Sequence, residues 1–205
     1  MPAFDVPANL AFDNYGELIA GINDWLDRSD LTGSAPTMIA LAESRLRREL
    51  APFFVEKSAS ISVTAGVGAF PDDFGTLTLV SCDGKPLVQV SPFAALDIPA
   101  SSVASAYTIE ASGIRVWPAG DFTVTLLYKP ALPQLTETTP TASLLSAHPD
   151  LYFFGAMMFA EGYVANDPRA SLFKGLWDEA IAEAKVYLTR QSFGGPLVPR
   201  LGFVP

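Results

Sequence analysis

Residues 14–50, NYGELIAGINDWLDRSDLTGSAPTMIALAESRLRREL, read as two amphipathic helices and the turn between them. The first helix spans about residues 15–26. Asn14 is placed to cap it, and Glu17 stands three residues on, where its carboxylate reaches back toward the cap. Leu18, Ile19, Ile22, Trp25 and Leu26 recur at helical spacing and form one apolar face. Asp27-Arg28-Ser29-Asp30 breaks that period, and Thr32-Gly33-Ser34 makes a turn. Pro36 suits the start of a second helix, whose apolar face is Met38, Ile39, Ala42, Leu46 and Leu50. Glu43 faces Arg47 one turn on, Arg45, Arg48 and Glu49 extend a mixed-charge face, and Pro52 ends the helix.

Upstream, residues 1–13 form an extended arm. Pro2 and Pro7 oppose helix there, and Phe4, Val6, Leu10 and Phe12 are apolar anchors. Downstream of the hairpin the period changes to two. Residues 58–64 (SASISVT) alternate and are rich in β-branched residues. Ala65-Gly66-Val67-Gly68 reads as a turn, and so does Pro71-Asp72-Asp73-Phe74. Further strands fall at 76–81, 87–90, 107–110, 114–117 and 122–128, with a hairpin signal at Asp83-Gly84 and a short helical turn at 91–96. Residues 58–130 are therefore expected to be a small antiparallel β unit.

Residues 131–147 are a Pro/Thr-rich linker without a period. A second helical pair follows. The helix from 151 to about 166 is apolar nearly all round, which places it inside a bundle. Asp167 and Pro168 open the last helix, which carries Leu172, Leu176, Trp177, Ile181, Ala184 and Leu188 on one face. Trp25 and Trp177 are both expected in the core. The tail, 191–205, has glycines and prolines that exclude helix. The expected fold is α+β: a four-helix bundle built from 14–57 and 148–190, with the β unit inserted between the two hairpins.

Thirteen Lys and Arg stand against 22 Asp and Glu, a net charge of −9. Phosphate contacts need cations, so sequence-reading DNA binding is not expected. The single cysteine, Cys82, rules out a disulfide within the chain, and it reads as a buried small hydrophobe. The opening residues lack a basic region and a long apolar run, and no stretch of eighteen apolar residues occurs, so neither a signal peptide nor a membrane span is expected.

Chemistry-bearing residues are sparse. His148 is the only histidine, and it precedes Pro149 at a helix start, where a capping or packing role fits best. Ser171 and Lys174 have the S-x-x-K spacing of penicillin-binding enzymes without that family's companion motifs. Asp72-Asp73 matches turn chemistry, Glu179 and Glu183 read as a solvated pair, and GVGAF is not a phosphate loop. No cofactor, metal site or catalytic set follows.

The ordered motifs resemble a known family. Tyr15-Gly16-Glu17-Leu18, Ile22, Trp25-Leu26 and Arg28-Ser29-Asp30-Leu31 begin the match, followed by Pro36, Ile39, Leu41-Ala42-Glu43 and Arg45-Leu46 through Leu50. It continues through Pro71 to Phe74, Asp83 to Leu87, Ser91 to Asp97, Tyr107 to Gly120, Thr123 to Pro130 and His148 to Tyr152. Together these resemble the head-to-tail adaptor proteins of short-tailed bacteriophages. Lys129 departs from the pattern, where the family often has a second aromatic.

The resemblance implies a twelve-subunit homo-oligomeric ring beneath the portal protein. It also implies tail nozzle or tail fibre proteins as partners, genomic DNA passing through without specific binding, and no reaction catalysed. It places the C-terminal segment on the portal. There, Arg190, Phe193, Leu197, Val198, Arg200, Leu201 and Phe203 are the candidate contacts. Glu43, Arg45, Arg47, Arg48 and Glu49 are the candidate subunit interface. The expected location is the virion neck, after assembly in the host cytoplasm. Two other readings stay open: a neck stopper or completion protein of a long-tailed phage, and a small-ligand binding protein or enzyme built on the β unit.

Overall fold

A computed structural model describes residues 12–26, 33–111, 113–160 and 170–192. Within them the chain forms five helices: α1 Tyr15–Leu26, α2 Ala35–Leu50, α3 Ser143–Ala147, α4 Pro149–Ala160 and α5 Ala170–Ser192. Eight strands lie between α2 and α3: β1 Lys57–Val63, β2 Val67–Ala69, β3 Phe74–Cys82, β4 Lys85–Pro86, β5 Val88–Gln89, β6 Ala106–Glu110, β7 Gly113–Trp117 and β8 Phe122–Pro130. They build two four-stranded sheets, ordered β1-β8-β3-β4 and β2-β7-β6-β5.

This corrects the expected four-helix bundle with a small β unit. The architecture is α+β, but with a fifth helix and with 26% of the described residues in strand, so the sheets are a major part of the molecule. The reasons are local. Three-residue β2 and two-residue β4 and β5 are too short to carry an alternating pattern. Val67-Gly68, which reads as turn by composition, pairs with Arg115 and Ile114 of β7. The second sheet is also mixed, since β5 lies parallel to β6. The extra helix, α3, sits in the segment that reads as linker.

α1 starts as its sequence dictates. The Glu17 amide donates to Asn14 Oδ1 at 3.0 Å, and Glu17 Oε2 accepts from the Asp13 amide at 2.9 Å. α4 is apolar on every side and packs against α1, α2, α3 and α5. It brings the fully buried Leu151, Tyr152, Phe153 and Ala156 into the helical core. Gly155 allows the closest approach: a Cβ there would lie 2.7 Å from Trp177 Nε1 and 3.0 Å from the Ala42 Cβ. Trp177 is buried and donates its indole N–H to the Leu151 carbonyl at 3.0 Å. Trp25 differs from expectation. It is half-buried, edge-on to Phe153 and Phe173 at the core's margin.

The segment 131–142 is packed into the helical region. Leu132, Leu135 and Ala142 enter the core, and the Tyr15 amide donates to the Pro140 carbonyl at 2.7 Å. In the β unit the two sheets share a second core. β8 alternates, turning Val124, Leu126 and Tyr128 inward, with Ile61↔Val124 on one side and Val80↔Leu126 on the other. Ile114, Val116 and Tyr107 meet them from the second sheet.

Candidate assembly surfaces

The mixed-charge face of α2 is largely used inside the chain. Glu43 is fully buried. Its Oε1 accepts the Leu135 amide at 2.8 Å, and its Oε2 lies 3.4 Å from Arg47 Nη2. Burial pushes the Glu43 carboxyl up, against the lowering pull of the Leu135 amide and the Arg47 charge. Arg47 also donates to the Leu132 carbonyl at 3.3 Å. The Arg45 guanidinium sits 4.4 Å above the Trp177 ring. Glu49 pairs with Lys185 of α5 at 2.7 Å, and that hydrogen bond and charge hold its carboxyl low. Arg48 is exposed and has no partner among the described residues. Of the five candidates, it alone is left wholly free to meet a neighbour.

The candidate portal residues divide differently. Arg190 is exposed in the last turn of α5, beside Val186 and Tyr187, which are also exposed. Phe193, Leu197, Val198, Arg200, Leu201 and Phe203 lie outside the described residues.

Several of the other chemistry-bearing residues are occupied structurally. Asp73 takes Lys57 at 2.5 Å and the Tyr128 hydroxyl at 2.7 Å, and both hold its carboxyl below the usual range. Lys174 pairs with Asp178 at 2.5 Å. Cys82 is buried, and burial pushes its thiol up. His148 stands edge-on to Tyr187 with ring centroids 5.0 Å apart. Among the described residues no group of three His, Cys, Asp or Glu is arranged to hold a metal ion, and no helix is long and apolar enough to cross a membrane.

Two surfaces were not read from the sequence. One is a ridge on the β unit, along β5 and the loop to β6. Phe93 is 82% exposed and Leu96 71%, with Val88 and Val103 also largely open. Their signal is composition alone: apolar residues crowd residues 88–103 with no period to assign them an inner face. The other is a groove of about 810 Å³ between the helices and the β unit, lined by Phe54, Val55, Leu132, Leu144 and Leu188 among others. It forms only when segments far apart in sequence come together.

Comparison with known proteins bears on these surfaces. A search of curated proteins finds no match. The model of the SU10 adaptor protein family matches residues 13–200, nearly the whole chain. That match agrees with the motifs of the helical hairpins and the β unit, and it covers every described segment except Phe12. The chain therefore belongs to the SU10 adaptor protein family, the family of a structural phage protein, consistent with a head-to-tail adaptor.

Proposed function

We propose that this chain forms the ring that joins a phage portal to its tail. Twelve copies, the number the resemblance implies, would extend the DNA channel below the portal. The C-terminal segment, with Arg190, Phe193, Leu197, Val198, Arg200, Leu201 and Phe203, would grip the portal. Arg48 and neighbouring parts of α2 would face the adjacent subunit. The β unit would present the platform for tail nozzle or tail fibre proteins. The work done is assembly, and the chain carries out no reaction.

The observation that carries this reading is the ridge of Phe93, Leu96, Val88 and Val103. Large apolar side chains crowded into one short stretch of sequence and left open to water suit a docking surface. They stand on an acidic protein, whose charge of −9 keeps its remaining surface soluble. Acidic surface facing the channel would also keep DNA from adhering as it passes.

The test is co-sedimentation with purified portal rings. The full chain should travel with the portal at a fixed ratio near twelve copies per ring. Deletion of residues 193–205 should leave the helical circular dichroism intact and weaken that co-sedimentation. A full chain that stays at the top of the gradient overturns the reading.

A further inference from the structure

Two helix faces of this chain stand open and complement each other. On α2 the exposed residues are Thr37, Leu41 and Arg48. Leu41 and Arg48 lie on the side of the helix opposite the buried Ile39 and Leu46, with Ser44 between them. In a chain of net charge −9 this face carries no acid, and Arg48, its one cation, has no partner among the described residues.

On α5, Glu179, Ala182 and Val186 are exposed and lie opposite the buried Trp177 and Ala184. Ala182, Val186 and Tyr187 border a shallow hollow of about 390 Å³. Val186 is 51% exposed, close to the 44% of Leu41. Glu179 has no partner among the described residues. The α5 lysines nearest it in sequence are taken, Lys174 by Asp178 and Lys185 by Glu49. Within one chain α2 and α5 meet through other sides, Arg45 on the Trp177 ring and Glu49 on Lys185.

The spacing on the two faces matches. Arg48 follows Leu41 by seven residues, and Glu179 precedes Val186 by seven. Either interval is about 10.5 Å along its helix. We infer that α2 of one copy lies antiparallel on α5 of the next, with Leu41 in the hollow beside Val186 and Arg48 against Glu179. Ser44 then comes over Ala182, and two small side chains at the crossing let the helices approach. Repulsion between copies of charge −9 is least where one face has no acid and the other gains a cation. Because α2 meets α5 and not itself, the contact repeats from copy to copy, as a ring or an open filament requires. Closure into a ring rests on the adaptor reading, in which Arg48 faces the adjacent subunit.

Cross-linking between copies of the full chain tests this. In a Cys82→Ala background, one chain carries Leu41→Cys and a second, isotope-labelled chain carries Val186→Cys. The two are mixed, both free at high concentration and on portal rings, and treated with a short bis-maleimide. The 41–186 link should exceed by roughly tenfold the link formed when a Leu172→Cys chain replaces the Val186→Cys chain, because only the first pair is held together. Leu172 is comparably exposed but lies about 21 Å away along the same helix. Arg48→Glu on the first chain should lower the yield by roughly tenfold, as a like-charge contact does, and Glu179→Arg on the second should restore it. Apart from Cys82 the substituted positions are exposed, so every melt should match that of the Cys82→Ala chain. A link to Leu172→Cys of equal or higher yield overturns the inference. So does a 41–186 link absent from both samples, or an Arg48→Glu loss that Glu179→Arg leaves unrescued. Portal binding of the unsubstituted chain is scored separately. Binding without the 41–186 link sinks this interface alone, and the link without binding sinks the adaptor reading alone.

Discussion

The helical region and the β unit differ in how far they leave apolar residues open: 44–51% at the exposed positions of the helices, up to 82% at Phe93 of the β unit. The helices bury most of theirs around α4, leaving Leu41, Leu172, Val186 and Tyr187 partly open, and tie distant segments together with charge: Glu49 to Lys185, Glu43 to the Leu135 amide, Arg47 to the Leu132 carbonyl. The β unit closes a smaller core between two sheets and leaves Phe93, Leu96, Val88 and Val103 outside. One region is built for its own stability, while the other keeps surface in reserve. Substitutions should separate the two, with large stability losses in the helices and small ones on the ridge.

The largest loss belongs to Trp177→Ala. It removes a buried ring and an indole N–H donor, and should cost about 3–5 kcal/mol in denaturant unfolding. Trp25→Ala should cost less, because that ring is half-buried. Equal losses would mean that the core does not centre on α4 and α5.

Gly155→Ala should come next. The added methyl meets the Trp177 ring and Ala42, and overpacking of this kind costs about 1–3 kcal/mol. A neutral result would show that α4 and α5 can separate without loss.

Glu43 sharpens the contrast through pH. Glu43→Ala leaves the Leu135 amide without its acceptor, at about 1–3 kcal/mol, whereas Glu43→Gln keeps an acceptor and removes a buried charge. The folded carboxyl is raised above its ordinary 4.5, so its favourable contribution is full below that value and is lost as pH rises through the higher folded one. Glu49 and Asp73 run the other way. Their lowered carboxyls contribute above the ordinary range, and the contribution is lost as pH falls through the folded values. Stability should therefore rise slightly from neutral pH toward mild acid and then fall. Glu43→Gln should abolish the rise and leave the fall, as thermal melts across pH would record.

The smallest effect on stability is expected at the ridge. Phe93→Ser should change the unfolding free energy by no more than about 0.5 kcal/mol, as surface substitutions usually do.

How much of this was legible follows from what kind of signal each part carries. The helices were readable because Leu18, Ile22, Met38, Leu46 and Trp177 keep a helical period and Asn14-Glu17 is a local cap. β8 was readable because FTVTLLY alternates. The second sheet was underestimated, since three- and two-residue strands hold no period and their pairing comes from distant partners. The segment 131–142 looked like a linker because Pro and Thr carry no pattern, yet Leu132 and Leu135 pack into the core. Glu43 looked like a surface charge for the same reason: its acceptor role depends on Leu135, far along the chain. The ridge was invisible because exposure is a tertiary property.

The most direct test of the division between a self-sufficient helical region and a docking β unit is stepwise assembly with the Phe93→Ser/Leu96→Ser chain. Portal rings, adaptor and tail proteins would be combined and separated by gradient sedimentation, with thermal melts run in parallel. The account predicts an unchanged melt, normal sedimentation with the portal, and no recruitment of tail proteins. Full recruitment of tail proteins by the substituted chain would contradict it.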